Sequence, residues 1–185
     1  ASIARFIGSD DKVNADNAAE HAIAIAFVIS ALLTSLGLLY GKQILVKIGC
    51  TPEVLPQAWE YLKVSCYGIS FGVFSGFFRS ILAGEGDMKF PMILAGFGTV
   101  LNIILDPIFI FTFNLGVSGA AWATAISQMV IFVIFIFMLF VKEHAYVKFQ
   151  LRDFSLSKYI LIDIIKVGLP ASLSMIIMAV GQLIF

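Results

Sequence analysis

Four apolar runs, at residues 22–40, 64–83, 91–112 and 118–141, constrain this chain more than any other feature. Each is close to the roughly 20 residues that carry an α-helix across a hydrocarbon core of about 30 Å. Inside that core no water completes the hydrogen bonds of the backbone, so a spanning segment must satisfy its own N–H and C=O groups. The runs therefore read as membrane helices and the chain as an all-α, polytopic helical membrane protein. Composition agrees, with 60% of residues hydrophobic, 13% charged and a mean hydropathy of +0.99. A soluble fold would have nowhere to bury that much apolar surface.

Several function classes find no support. The formal net charge is zero, whereas phosphate recognition needs a concentrated excess of Lys and Arg, so no nucleic-acid partner is expected. Cys50 and Cys66 have no CxxC spacing and no His beside them, and read as ordinary free thiols. His21 and His144 stand alone outside the apolar runs, which gives no metal centre and no catalytic dyad. Gly84-Glu85-Gly86 lacks the GK[ST] of a phosphate loop. The chain is expected to be no enzyme and to hold no organic cofactor. It starts at Ala1 without Met and stops at Phe185 inside an apolar stretch, as an internal fragment would.

Residues 1–7 read as the inner end of a helix, followed by a turn at 8–12. A helix starts near Ala15, with Asp16, Glu20 and His21 expected at or beyond the membrane interface. A connection holding Cys50, Pro52 and Pro56 leads to the third helix; 84–91 is a polar turn and 113–116 a tight link. A charged segment, 142–158, precedes an amphipathic lead-in with Asp163 and Lys166, and a sixth element is expected to open at Gly168-Leu169-Pro170. Of twelve basic residues, Arg5, Lys12, Arg79, Lys89, Lys142, Lys148, Arg152, Lys158 and Lys166 fall on one side, and Lys42, Lys47 and Lys63 on the other. The positive-inside bias places the loops 8–14, 84–91 and 142–158 in the cytoplasm. The run 91–112 then leads outward and 118–141 returns. Gly68, Gly72 and Gly76, four apart, predict a face for close helix packing, and Arg79 at the inner end of its helix is expected to snorkel to the headgroups.

Asp106 is the acid out of place. Eleven of the twelve acids sit in loops, near helix ends or in the lead-in, but Asp106 lies fifteen residues past Pro91. At 1.5 Å per residue that is about 22 Å from the cytoplasmic end, in the outer half of the span. A bare carboxylate there costs at least a few kcal/mol, so it must face the protein interior, hold a proton or hold a cation. Asn102, four residues earlier, shares its helical face. Pro107 has no N–H, which frees the carbonyl of Ile103 near the same spot. On the returning helix Thr124 and Gln128 form a polar stripe, and such oxygen ligands suit a hard cation such as Na⁺, while burial of a carboxylate suits proton carriage. A purely structural carboxylate, satisfied by Asn102 and a neighbouring hydroxyl, is the alternative.

Three stretches together strongly resemble the MATE (multidrug and toxic compound extrusion) transporters: 84–92 (GEGDMKFPM), 102–111 (NIILDPIFIF) and 116–124 (GVSGAAWAT). Gly168-Leu169-Pro170-Ala171 resembles the opening of that family's second lobe, and 1–22 the junction between its second and third helices. The resemblance implies part of a twelve-helix, two-lobe transporter. Residues 1–141 would form most of the N-terminal lobe, from the end of helix 2 to helix 6; 142–159 a cytoplasmic inter-lobe linker; and 160–185 the start of the C-terminal lobe, helix 7. It implies a multi-pass protein of the cell membrane that exports drug-like, often cationic compounds in exchange for Na⁺ or H⁺. Its partners would be membrane lipid, those small molecules and the remainder of its own chain. The family's N-lobe cation site falls on Asn102, Asp106 and Thr124, with Tyr61 a neighbour and Gln128 a candidate for the substrate cavity; no metal other than Na⁺ at Asp106 is implied. The family pattern also has an aspartate in helix 1, upstream of Ala1. The alternatives are a lipid or oligosaccharide flippase of the wider superfamily, which would need a cluster of cations facing the cavity, and a non-transporting membrane scaffold.

Overall fold

A computed structural model describes residues 2–142, 144–148 and 157–184. Every regular element among them is helical: α1 (Ser2–Gly8), α2 (Lys12–Lys47), α3 (Leu55–Gly84), α4 (Lys89–Pro107), α5 (Val117–Ile136) and α6 (Lys158–Ile184). Helix α4 runs on into a π-helical turn at Ile108–Thr112, and α5 into another at Phe137–Val141. Helices α2, α3, α4 and α5, the last two with their π turns, are long and apolar enough to cross a membrane. Large apolar side chains on their outer faces, such as Phe27, Leu39, Met92 and Ile103, are exposed, as helices solvated by lipid or by further chain require. The sixth element opens earlier than expected. The lead-in and the stretch after Gly168 are one helix that passes through Pro170, since a proline removes one hydrogen bond and membrane helices accommodate that loss.

The chain divides into two compact units, residues 23–146 and residues 1–22 with 147–185. In the first unit α5 is the hub: α3 packs along it most extensively, α4 next, and α3 and α4 meet only slightly. Val64 clusters with Ala121 and Ala125, and Phe78 contacts Phe135, so α3 and α5 run parallel. Asn102 meets Thr124, and the π turn at Phe109 meets Gly119, so α4 runs antiparallel to α5. This is the up-and-down order that successive membrane crossings require. The inner half of the α3–α5 seam is aromatic, with Phe71, Phe74 and Phe78 against Phe132 and Phe135. Its outer half is made of small residues: a Cβ on Gly68 would sit 3.1 Å from the Cα of Ala125. Gly72 faces the Gln128 side chain, and Gly76 has nothing within 4 Å, so only the first of the three spaced glycines serves the close backbone contact that their spacing predicted.

The ends of these helices are tied by side chains. Asp87 Oδ1 accepts from the backbone N–H of Lys89 and Phe90, both at 3.1 Å, capping α4, and Oδ2 pairs with His144 Nε2 at 3.0 Å. The Phe90 N–H and the His144 ring hold the Asp87 carboxyl below its ordinary range. Glu85 accepts from the N–H of Tyr146 at 3.0 Å. The turn 84–88 and the segment 144–146 thus share one end of the unit, as the charge bias required of two loops on one side. Thr34 of α2 donates to Cys66 O of α3 at 3.1 Å, with the Ser70 hydroxyl also 3.1 Å away.

In the other unit Ile3 and Phe6 of α1 are buried, α1 touches α6, and Ala15, Ala18 and Ala19 are wholly buried in the first turns of α2. Glu20 and His21, expected at or beyond the membrane interface, are buried within the protein, at 6% and 2% exposure. His21 shows how: Nε2 accepts from the Ser157 N–H at 3.1 Å, so Nδ1 carries the proton and donates to Asn17 O at 2.8 Å. Half of the expected linker 142–159, including Arg152, lies outside the described residues.

Candidate functional site

Helix α4 carries the site because of the irregular backbone at its outer end. Pro107 offers no N–H to the Ile103 carbonyl, and the backbone does not recover an α-helix afterwards: Phe113 N–H bonds to Ile108 O at 3.0 Å, five residues back. Such π turns are rare and cluster at functional positions. The link to α5 is tight because Asn114 and Gly116 take positive φ, 53° and 56°, the latter with ψ −133°, a region essentially reserved for glycine. A Cβ on Gly119 would lie 2.7 Å from the Phe109 carbonyl carbon. Glycine at 119 therefore lets the start of α5 touch the π turn and sets Thr124 opposite Asn102.

Asn102 and Thr124 are brought together. The amide Nδ2 donates to Thr124 Oγ1 at 3.3 Å, and that hydroxyl donates to Ala120 O at 3.0 Å. Asp106 is half-buried one turn beyond Asn102 on the same face. Its Oδ1 is fully shielded and has no hydrogen-bond partner among the described residues. A shielded, unmatched carboxylate oxygen is costly unless a proton or a cation joins it. The Asn102 amide oxygen and the remaining lone pair of Thr124 are acceptors of the kind a hard cation takes.

Tyr61 is not joined to this trio: it is 41% exposed, and its hydrogen bond beyond the helix ladder is its backbone carbonyl accepting from the Ser65 hydroxyl at 2.8 Å. The packing register explains this. Asn102 lies opposite Thr124 and Phe109 opposite Gly119, so Asp106 is level with Ala121, which packs beside Val64; Tyr61 sits about one turn further out on α3.

Two recesses flank the site. One, of about 560 Å³, lies between α3 and α5 and is lined by Gly68, Gly72, Gly76, Thr124 and Gln128, so the glycine stripe forms a cavity wall as well as a contact. The other, of about 260 Å³, lies among α3, α4 and α5 and joins Asn102 and Thr124 to Ser75, Ser127 and Gln128. Arg79 lines both. Its place near a helix end points to the headgroups, and no signal within α3 alone puts it on this wall.

The MatE family model matches residues 1–108. The chain is 33% identical to the "Probable multidrug resistance protein YpnP" of Bacillus subtilis, over 85% of this chain and 36% of the relative. It is 34% identical to the "Multidrug export protein MepA" of Staphylococcus saprophyticus, over 98% of this chain and 40% of the relative. An outward-facing multidrug resistance MATE family transporter of the MOP superfamily superposes with a TM-score of 0.95 at 41% identity, covering 98% of this chain and 40% of that one. The chain thus spans well under half the length of the proteins it matches.

Proposed function

This chain belongs to the MatE family, and from that premise we propose that it is part of a secondary active efflux transporter of the cell membrane. In this reading the whole protein exchanges Na⁺ or H⁺ for drug-like, often cationic compounds, and the coupling ion binds at Asp106 with Asn102 and Thr124. The observation that carries the reading is the shielded, unpartnered Oδ1 of Asp106 beside the Asn102–Thr124 hydrogen bond. The names of the relatives, a multidrug resistance protein and a multidrug export protein, support the substrate class.

The mechanism rests on what an ion does to this geometry. An empty site leaves a carboxylate in a low-dielectric wall, and occupancy by Na⁺ or a proton removes that cost. Binding shifts a conformational equilibrium only through a difference in affinity between its states. The element able to differ is the Pro107 junction, where the α-helix gives way to a π turn immediately after the acid. Occupancy repacks α4 there, and the α4–α5 contact passes the change to the recess shared with Gln128.

The test is Asp106→Asn in the full-length protein, reconstituted in liposomes with an ion gradient and a fluorescent cationic dye. The substitution keeps the size and one acceptor oxygen, replaces the other by an NH₂ donor and removes the charge. Gradient-driven efflux is expected to fall to the leak rate, while undiminished coupled efflux refutes the assignment.

A further inference from the structure

The recess among α3, α4 and α5 contains more donors than the cation site explains. Ser75 and Ser127 are 2% and 4% exposed, both line the recess, and neither hydroxyl has a hydrogen-bond partner among the described residues. Buried hydroxyls are nearly always satisfied, so two orphans on facing helices point to something that fills the space between them. Arg79 lies on the same face of α3 as Ser75, one turn inward, and lines the same recess, as does the Gln128 amide. Among the described residues no acid lines the recess, and Arg79 has no ion-pair partner. Of the described acids at this end, Asp87 is engaged by His144 and the start of α4, and Glu85 by the Tyr146 N–H. Arg79 is exposed near the end of α3, and its guanidinium offers five N–H donors in a planar fork and accepts nothing. Snorkelling would relieve Arg79 but would leave both hydroxyls unmatched. An oxyanion answers all of them, since carboxylate and phosphate oxygens only accept and take charge-assisted bonds from such a fork.

We propose that Arg79, Ser75, Ser127 and Gln128 form an oxyanion subsite, and that transported compounds place a carboxylate there while their apolar or cationic part occupies the groove between α3 and α5. This rests on the efflux reading above and adds that, among its substrates, those bearing a carboxylate are held through it.

The full-length protein in phosphatidylcholine nanodiscs is titrated with a cationic xanthene dye bearing a free carboxylate, and with the methyl ester of that dye, read by fluorescence anisotropy. The acid is expected to bind about ten-fold more tightly than the ester, the size of one charge-assisted hydrogen-bonded pair. Arg79→Gln removes that preference and leaves ester affinity in place. Arg79→Lys keeps part of it, since the charge remains but the fork is lost, and Ser75→Ala combined with Ser127→Ala lowers it several-fold. If Arg79→Gln does not yield folded protein, these last two variants decide by the same ratio. Equal affinity of the wild type for both dyes overturns the subsite and leaves the efflux reading standing; a preference untouched by the variants does the same. Binding of neither dye overturns both readings. A preference seen in detergent and lost in phospholipid nanodiscs assigns the site to a headgroup phosphate and overturns the substrate subsite.

Discussion

Replacing Gly119 by Ala tests the contact that sets Thr124 opposite Asn102. An ideal Cβ at 119 falls 2.7 Å from the carbonyl carbon of Phe109, 2.8 Å from its oxygen and 2.8 Å from the nitrogen of Ile110. Ordinary contact begins at 3.4 Å, so the start of α5 and the π turn must separate by about 0.7 Å (3.4 − 2.7), and both sides are backbone that no rotamer change relieves. Overpacking of this kind costs about 1–3 kcal/mol, partly offset by the 0.5–1 kcal/mol or so by which Ala favours a helix over Gly. Gly76→Ala is the control, because nothing lies within 4 Å of it; only the propensity gain applies, and the change should be neutral or slightly stabilising. The assay is thermal unfolding of the full-length protein in one detergent, with and without saturating coupling ion. Gly119→Ala should melt several degrees below the wild type and lose part of the ion-induced stabilisation. Equal melting temperatures for the wild type and both variants would refute the claim that glycine at 119 is required for the α4–α5 approach.

Two further predictions concern other contacts. Asp87→Ala removes the acceptor for two α4 amides and for His144, and should destabilise by about 1 kcal/mol, a typical cap loss. Because the folded carboxyl titrates below its ordinary value of 3.8, its contribution is fully present above that value and is lost as pH falls through the lower folded value; unfolding curves of wild type and variant should converge only below about pH 3.8. Thr124→Val removes the oxygen that accepts from Asn102. It should weaken ion binding by roughly ten-fold, the worth of one ligand hydrogen bond or oxygen, measured by titrating the ion against tryptophan fluorescence; unchanged ion affinity would remove Thr124 from the site.

The helices are legible in the sequence because their cause is local. Apolar runs of membrane length, Pro91 and Gly116 at their edges, and a basic bias in alternate loops are all readable without knowing what packs on what. The features that depart from expectation depend on distant segments. Gly76 has the spacing of a packing glycine, yet nothing lies within 4 Å of where its Cβ would be and it lines a groove, the contact beyond Gly72 being carried by the phenylalanines beside it. Polarity places Glu20 and His21 at or beyond the interface but does not tell that His21 is buried, with Ser157, far along the chain, bringing an N–H to its Nε2. Pro170 has the look of an element boundary, and the helix passes through it.

The site divides along the same line. Asp106 and Asn102 lie on one helix, so the 3.6-residue period alone puts them on one face, and an acid in an apolar run needs no partner to stand out. Thr124 is reachable because the link 113–116 is so short that α5 must return beside α4. Tyr61 enters only through a resemblance, and its level on α3 is set by the parallel α3–α5 register, which no local pattern encodes. Arg79 is the inverse case. A cation near a helix end is cheap to place among headgroups, so its sequence position invites no question. The question arises only when α5 brings Ser127 and Gln128 to the same recess and leaves two buried hydroxyls unanswered. A carboxylate site read from one helix and a guanidinium site assembled from two would then divide the work, one holding the coupling ion and the other the charged end of what is carried.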